Sequence, residues 1–196
     1  MFDFSREIIL ENDRVLLRPL QVDDAHNLTN TACEDEDLMT YSFNRIHTPE
    51  LLTSYLEEFA KERSDGTRYP LIVFDKIAQE YAGVTTFLNI SNVHQRIEIG
   101  STWIGKKFQG TGLNQHCKFL LMRHVFEELR FERLEFKIDA RNTRSRRAVE
   151  KIGGKLEGEM RSHSELPNGI RRNTVIYSML LEEWPTLKAT CFKELC

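Results

Sequence analysis

"RIEIGSTWIGKKFQGTGLNQHCKFLL", residues 96–121, sets a β-branched run against a basic pair, two glycines around a threonine, and then a run with helical spacing. The first ten residues read as a strand. Leu113, Cys117, Leu120 and Leu121 then recur at the interval of one helix face. Between them Gly110 and Gly112 have no Cβ, so another molecule can approach the main chain closely, and the helix that follows opens with N–H groups that have no internal partner. Strand, bare turn and helix mouth together suit a phosphate or pyrophosphate, because the helix dipole places about half a positive charge at that end. Neither standard nucleotide motif is completed. Leu113, Asn114 and Gln115 follow where a dinucleotide fingerprint needs its third glycine, and no lysine-hydroxyl pair follows as in a P-loop.

Working outward, "RVLLRPL" (14–20) predicts a strand, and Asp23-Asp24 predict the cap of a helix running through Leu28. A second helix has Thr48 as its cap, Pro49 in its first position, Leu51, Leu52, Tyr55, Leu56 and Phe59 on one face, and Gly66 as its stop. "RYPLIVFD", "YAGVTTFLNI" and the strand at 96–105 form an antiparallel meander. The helical pattern after the glycines extends from Thr111 to Arg130. "RLEFKID" is a strand, a helix runs from Asn142 to a glycine stop, and "KLEGEMRSHSE" with "NTVIYSMLL" closes the chain as a strand pair around Pro167-Asn168-Gly169. The order β αα βββ α β α ββ is an α/β (α+β) arrangement, a mixed, mostly antiparallel sheet of about seven strands flanked by helices. The 196 residues are expected to form one domain, with a core over 14–184 and a tail over 185–196.

Composition limits the function classes. With 40% hydrophobic and 29% charged residues the chain is globular, and a net charge of −3 argues against general nucleic-acid binding. No run approaches the ~18–20 apolar residues of a membrane span and no secretory pattern opens the chain, so a cytoplasmic protein is expected. Cys33, Cys117, Cys191 and Cys196 are scattered without a Cys-x-x-Cys pair, and the histidines lack ligand spacing, so free thiols and no metal are expected. Charge is uneven along the chain. Nine acidic residues lie between Gln21 and Ala60 against the single Arg45, whereas Ala140–Lys155 holds Arg141, Arg144, Arg146, Arg147, Lys151 and Lys155 against Glu150.

The joint run "IEIGSTWIGKKFQGTGLNQ", then "DARNTRSRRAVEKIGGKLEGEMR", then "YSMLLEEW" resembles the GCN5-related N-acetyltransferases, in the branch similar to the ribosomal-protein acetyltransferases RimJ and RimL. The likeness extends from Arg14 to Trp184. It implies that the backbone of Gln109, Gly110, Thr111, Gly112, Leu113 and Asn114 grips the pyrophosphate of acetyl-CoA, although Asn114 stands where glycine or alanine is usual. It also implies that Trp103 and Ile104 offer backbone amides to the acetyl carbonyl and pantetheine, and that Lys106, Lys107, Arg144, Arg146 or Arg147 pair with phosphates.

For catalysis the resemblance implies Glu98 as the base that deprotonates an attacking amine, which is reactive only when neutral. Many relatives protonate the departing thiolate with a tyrosine four residues before a helix-ending glycine. Here Val149 precedes Gly153, and the branch's Asn142 and Ser145 are implied instead, at the pantetheine and the sulfur. Each residue has a structural reading as well: Glu98 as an ion-pair partner of Arg96 or another base, Trp103 as core, Asn142 as a helix cap, Ser145 as first-turn polarity. The expected activity is transfer of an acetyl group from acetyl-CoA to a primary amine, a protein N-terminus or a small cationic amine, drawn by the acidic stretch at 34–37. The alternative is a non-catalytic acyl-CoA sensor. A homodimer through sheet edges is left open.

Overall fold

The computed structural model describes residues 1–195. Among these the strands are β1 (Leu10–Glu11), β2 (Val15–Pro19), β3 (Arg68–Asp75), β4 (Glu80–Ser91), β5 (Arg96–Ile104), β6 (Arg133–Asp139), β7 (Lys155–Glu165) and β8 (Arg171–Leu180). The helices are α1 (Ala25–Cys33), α2 (Pro49–Ser64), α3 (Leu113–Arg123), α4 (Thr143–Lys151) and α5 (Trp184–Cys191). The α/β order expected from the sequence is present, with the two-residue β1 as an additional edge strand. One sheet runs β1-β2-β3-β4-β5-β6-β8-β7, antiparallel except at the β5–β6 neighbours.

Local chemistry accounts for the elements. The Thr48 side chain accepts from Leu51 N at the start of α2, with Pro49 in its first turn. Asp24 instead closes a short turn before α1: its carboxylate accepts from Gln21 N and from both Arg18 Nη atoms at 2.9 and 2.6 Å. The single helix expected over Thr111–Arg130 is α3 followed by a wider π turn, His124–Glu128, that swings the chain back toward β6. The C-terminal segment folds as α5, and Phe192 just after it is buried against Trp184 and Phe119.

Two apolar cores lie on opposite faces of the sheet. One gathers Leu28, Leu52, Leu56 and Phe59 of α1 and α2 with Ile72, Val84 and Trp103. The other gathers Leu120, Leu121 and Met122 of α3 and Val149 of α4 with Phe87, Ile97, Ile99 and Phe136. Each hides a helix stripe against alternate strand residues, as a two-sided sheet requires.

The centre of the sheet positions the site. Between β4 and β5 the register shifts so that Ser101 and Thr102 stand where β4 has the single Thr85, and Ser101 takes a φ of 45°. This bulge reverses the alternation: Ile97 and Ile99 face the α3 side before it, Ile104 after it, and Trp103 turns to the α2 side. On its other edge β5 pairs with β6 only at Arg96↔Arg133, Ile97↔Leu134 and Glu98↔Glu135. Beyond Glu98 the two strands part.

Candidate active site

The turn before α3 is built by backbone geometry. Gly110 and Gly112 have φ of 77° and 87°, in the left-handed region that side-chain-bearing residues avoid, and an added Cβ at either would meet no atom within 4 Å. The glycines therefore face open space. The Thr111 hydroxyl donates to Phe108 O at 2.8 Å, and the Gln109 side chain donates to Ile104 O at 2.8 Å while accepting from Arg144, tying the end of β5 to α4. The N–H groups of Gly110, Thr111, Gly112 and Asn114 have no partner among the described residues. Four open donors at a positive helix end form a cradle of the size and sign of a diphosphate.

The cradle opens into a cavity of about 1400 Å³ that passes between the parted strands. Of the residues expected at the site, Glu98, Trp103, Ile104, Gln109, Gly110, Gly112, Asn114, Asn142 and Ser145 line it, and Thr111, Leu113 and Arg147 do not. Leu113 is a core residue that anchors the helix start, and the Arg147 side chain is exposed. Asn142 caps α4, its Oδ1 accepting from Ser145 N at 3.0 Å, which fulfils its structural reading and fixes Ser145 on the cavity wall. Trp103 is buried in the α2-side core, so what it offers the cavity is chiefly backbone. Asn114 Oδ1 is buried without a partner among the described residues.

Glu98 is 4% exposed, on the face opposite α3. Its Oε2 accepts from Lys137 Nζ at 2.8 Å and from Asn89 Nδ2 at 2.7 Å, and Oε1 has no hydrogen-bond partner among the described residues. Arg96 pairs with Glu135 instead. Glu98 is thus a carboxylate held in one orientation with one oxygen free at the point where the strands separate. Asp35 and Asp37 of the acidic stretch lie on the same cavity, with Asp35 3.8 Å from Lys106.

Motif reading did not single out Lys118, Lys137 or Arg172, each a charged residue of the cavity wall. Lys118 of α3, 6% exposed, reaches into the β5–β6 gap, donating to Thr102 Oγ1 at 3.0 Å and lying 5.7 Å from the centre of the Phe136 ring. No carboxylate lies within 4 Å of it among the described residues, and burial pushes its ammonium down to about 8. Its one sequence signal is a lysine set inside the apolar run "HCKFLLM". Lys137 is the partner of Glu98, and Arg172 of β8 is buried on the same face. Nothing local distinguishes these two, since each is an ordinary polar residue in an alternating strand.

A family model for the acetyltransferase (GNAT) domain matches residues 14–155. The chain is 26% identical over 179 residues to YdaF of Bacillus subtilis (strain 168), a provisionally named ribosomal N-acetyltransferase, covering 88% of this chain and 94% of that one. A crystal structure of a provisionally named acetyltransferase from T. thermophilus superposes with a TM-score of 0.87 at 33% identity, over 100% of both chains. The structure of Mycobacterium smegmatis RimJ in complex with CoA-disulfide shares the fold, with a TM-score of 0.79 at 20% identity over 96% of this chain and 93% of that one.

Proposed function

The chain belongs to the acetyltransferase (GNAT) family and is an acyl-CoA-dependent N-acetyltransferase, and from that premise we propose how its own residues divide the work. The open N–H groups of Gly110–Asn114 bind the pyrophosphate, with Gln109 and Arg144 joining the two walls of the entry. Arg144, Lys106 and Lys107 serve the remaining phosphates and Arg147 stands outside this set. Asn142 orients the first turn of α4 so that the Ser145 hydroxyl faces the gap. The bound acyl-CoA supplies the activated carbonyl carbon, and acetyl is the acyl group proposed.

On the opposite face Glu98 acts as the base. Lys137 and Asn89 hold one oxygen, so the other is presented to the acceptor without reorganisation. A primary amine is mostly protonated at neutral pH, and it becomes a nucleophile when its proton passes to this oxygen or to a water the oxygen holds. Direct attack in a ternary complex is the mechanism this reading takes, and the opening of the gap on both faces of the sheet supports it. The observation that carries this reading is the end of β5–β6 pairing at Glu98, which opens the sheet between the phosphate cradle and a preoriented carboxylate.

The acceptor is an amine, a protein N-terminus or a small molecule, and the compartment proposed is the cytoplasm; among the described residues no helix is long and apolar enough to cross a membrane. β7, an edge strand whose side chains are almost all exposed, is a surface on which a second copy could pair. The decisive experiment is thiol release from acetyl-CoA across a panel of amines, with calorimetry of acetyl-CoA binding. Glu98→Gln is expected to lower kcat by ~10²–10⁴-fold with acetyl-CoA affinity unchanged. Unchanged turnover in that variant would remove Glu98 from the mechanism, and absent binding would remove the cradle.

A further inference from the structure

Among the described residues Arg172 is a cation without an ion-pair partner, on the acceptor side of the gap. It is 8% exposed and lines the cavity. The pairings Asp139↔Thr174, Lys137↔Ile176 and Glu98↔Glu135 put Arg172, Thr174, Lys137, Asp139 and Glu98 on one face of the sheet. Yet neither carboxylate pairs with it. Glu98 is taken by Lys137, and Asp139 accepts from Arg141 Nε at 2.9 Å, from Arg141 Nη2 at 2.6 Å and from Arg141 N at 3.0 Å. Arg172 instead donates from Nε to Thr174 Oγ1 at 2.9 Å and from Nη2 to Lys137 O at 3.3 Å, both neutral acceptors, and Nη1 has no partner among the described residues.

These contacts lock the guanidinium plane, and Phe43, from the loop between α1 and α2, lies across it with its ring centre 5.2 Å from Cζ. Asp139 and Glu98 act on this charge only from a distance, and a buried planar cation held by two neutral acceptors beside an aromatic ring, with no carboxylate in direct contact, is preorganised for one. The wall therefore presents a free carboxylate oxygen at Glu98 and a free cationic N–H at Arg172, complementary to an amine and an acid on one ligand.

We infer that Arg172 and Phe43 form an anion subsite for the acceptor, so that the amine acetylated by this protein carries a carboxylate, as a free amino acid or as an acidic side chain beside a peptide N-terminus. The inference rests on the proposed acceptor side at Glu98 and narrows it, turning the site away from polyamines.

The test compares four acceptors with acetyl-CoA: glutamate, a peptide with aspartate as its second residue, the same peptide with asparagine there, and 1,4-diaminobutane. At least one of the two carboxylate-bearing acceptors is expected to exceed both the asparaginyl peptide and the dicationic diaminobutane tenfold or more in kcat/KM. Glutamate and the aspartyl peptide separate the two sources of the group. Arg172→Gln is expected to raise KM for the favoured acceptor tenfold or more with kcat within about twofold, and Arg172→Lys to restore part of it. Phe43→Ala, at an exposed position that does not threaten folding, is expected to raise KM severalfold. Calorimetry of glutamate and of the aspartyl peptide into CoA-loaded protein supplies a readout without turnover: at least one binds the wild type, and neither binds Arg172→Gln. Equal use of diaminobutane, unchanged kinetics in both variants, or no binding of either carboxylate ligand overturns the subsite. Loss of acetyl-CoA binding in the wild type indicts the proposed function instead, so the two failures are distinct.

Discussion

Lys118 weakens the fold in which it sits. Its ammonium has a hydroxyl and an aromatic face for company but no carboxylate among the described residues, and in the folded protein it gives up its proton near 8 whereas the unfolded chain keeps it to about 10.5. Between those two values the unfolded state binds the extra proton, so Lys118 makes stability rise with pH there; below 8 its full penalty is present. Lys118→Met is therefore expected to stabilise the protein at pH 7, by ~1–3 kcal/mol, with the gain shrinking as pH rises through 8 toward 10.5. Urea melts at pH 7 and 9.5 measure this. An equal gain at both values would show that packing, not charge, sets the difference. Its place in the β5–β6 gap puts this buried ammonium on the wall of the cavity.

The elements at the cavity depend on glycine in two separable ways. At Gly112 an added methyl meets empty space, so Gly112→Ala suffers only from its positive φ, ~1 kcal/mol, while placing carbon over the N–H groups proposed to hold phosphate. Acetyl-CoA binding measured by calorimetry is expected to weaken at least tenfold with the melting temperature changed by only a few degrees. At Gly83 of β4, whose φ is 154° beside an irregularity in the β3–β4 register, a Cβ would lie 2.1 Å from the Trp103 carbonyl oxygen. Gly83→Ala is expected to cost more than ~3 kcal/mol of stability, read as a lowered denaturation midpoint. If the first variant unfolded and the second only lost binding, the division of labour between the two glycines would be reversed. Most of these elements were legible from residue order: the cap at Thr48, the glycine turn, the meander and the closing strand pair all follow from local preferences. The bulge at Ser101 was not, because it arises where two strands are matched and leaves no mark within either one. The π turn after Arg123 was equally hidden, since apolar spacing continues through it and only the return toward β6 requires the extra residue.

Across the molecule, the parted strands divide the sheet into a part running to β5 and a part beginning at β6, joined at the centre by three residue pairs. The phosphate cradle belongs to the first part and α4 to the second, so a bound CoA spans the join. Saturation at about 100 times Kd is expected to add ~2.7 kcal/mol, which for a domain of this length raises the melting temperature by ~5–10 °C. Slowed amide exchange should appear in β6 and α4 as well as in the cradle. A shift with protection confined to the cradle would show that the two parts do not share the ligand.

Backbone requirements and apolar periodicity act over a few residues, so the order of elements, the anion-ready turn at 109–114 and the lack of a tyrosine at Val149 could be read along the chain. Charge compensation acts between residues that meet only after folding. That Glu98 is held by Lys137, 39 positions away, that Asp139 is consumed by Arg141, and that Lys118 and Arg172 are left without ion-pair partners among the described residues became visible only once the strands were side by side. Burial sets the cost of an unpaired charge, and burial is a property of the assembled sheet.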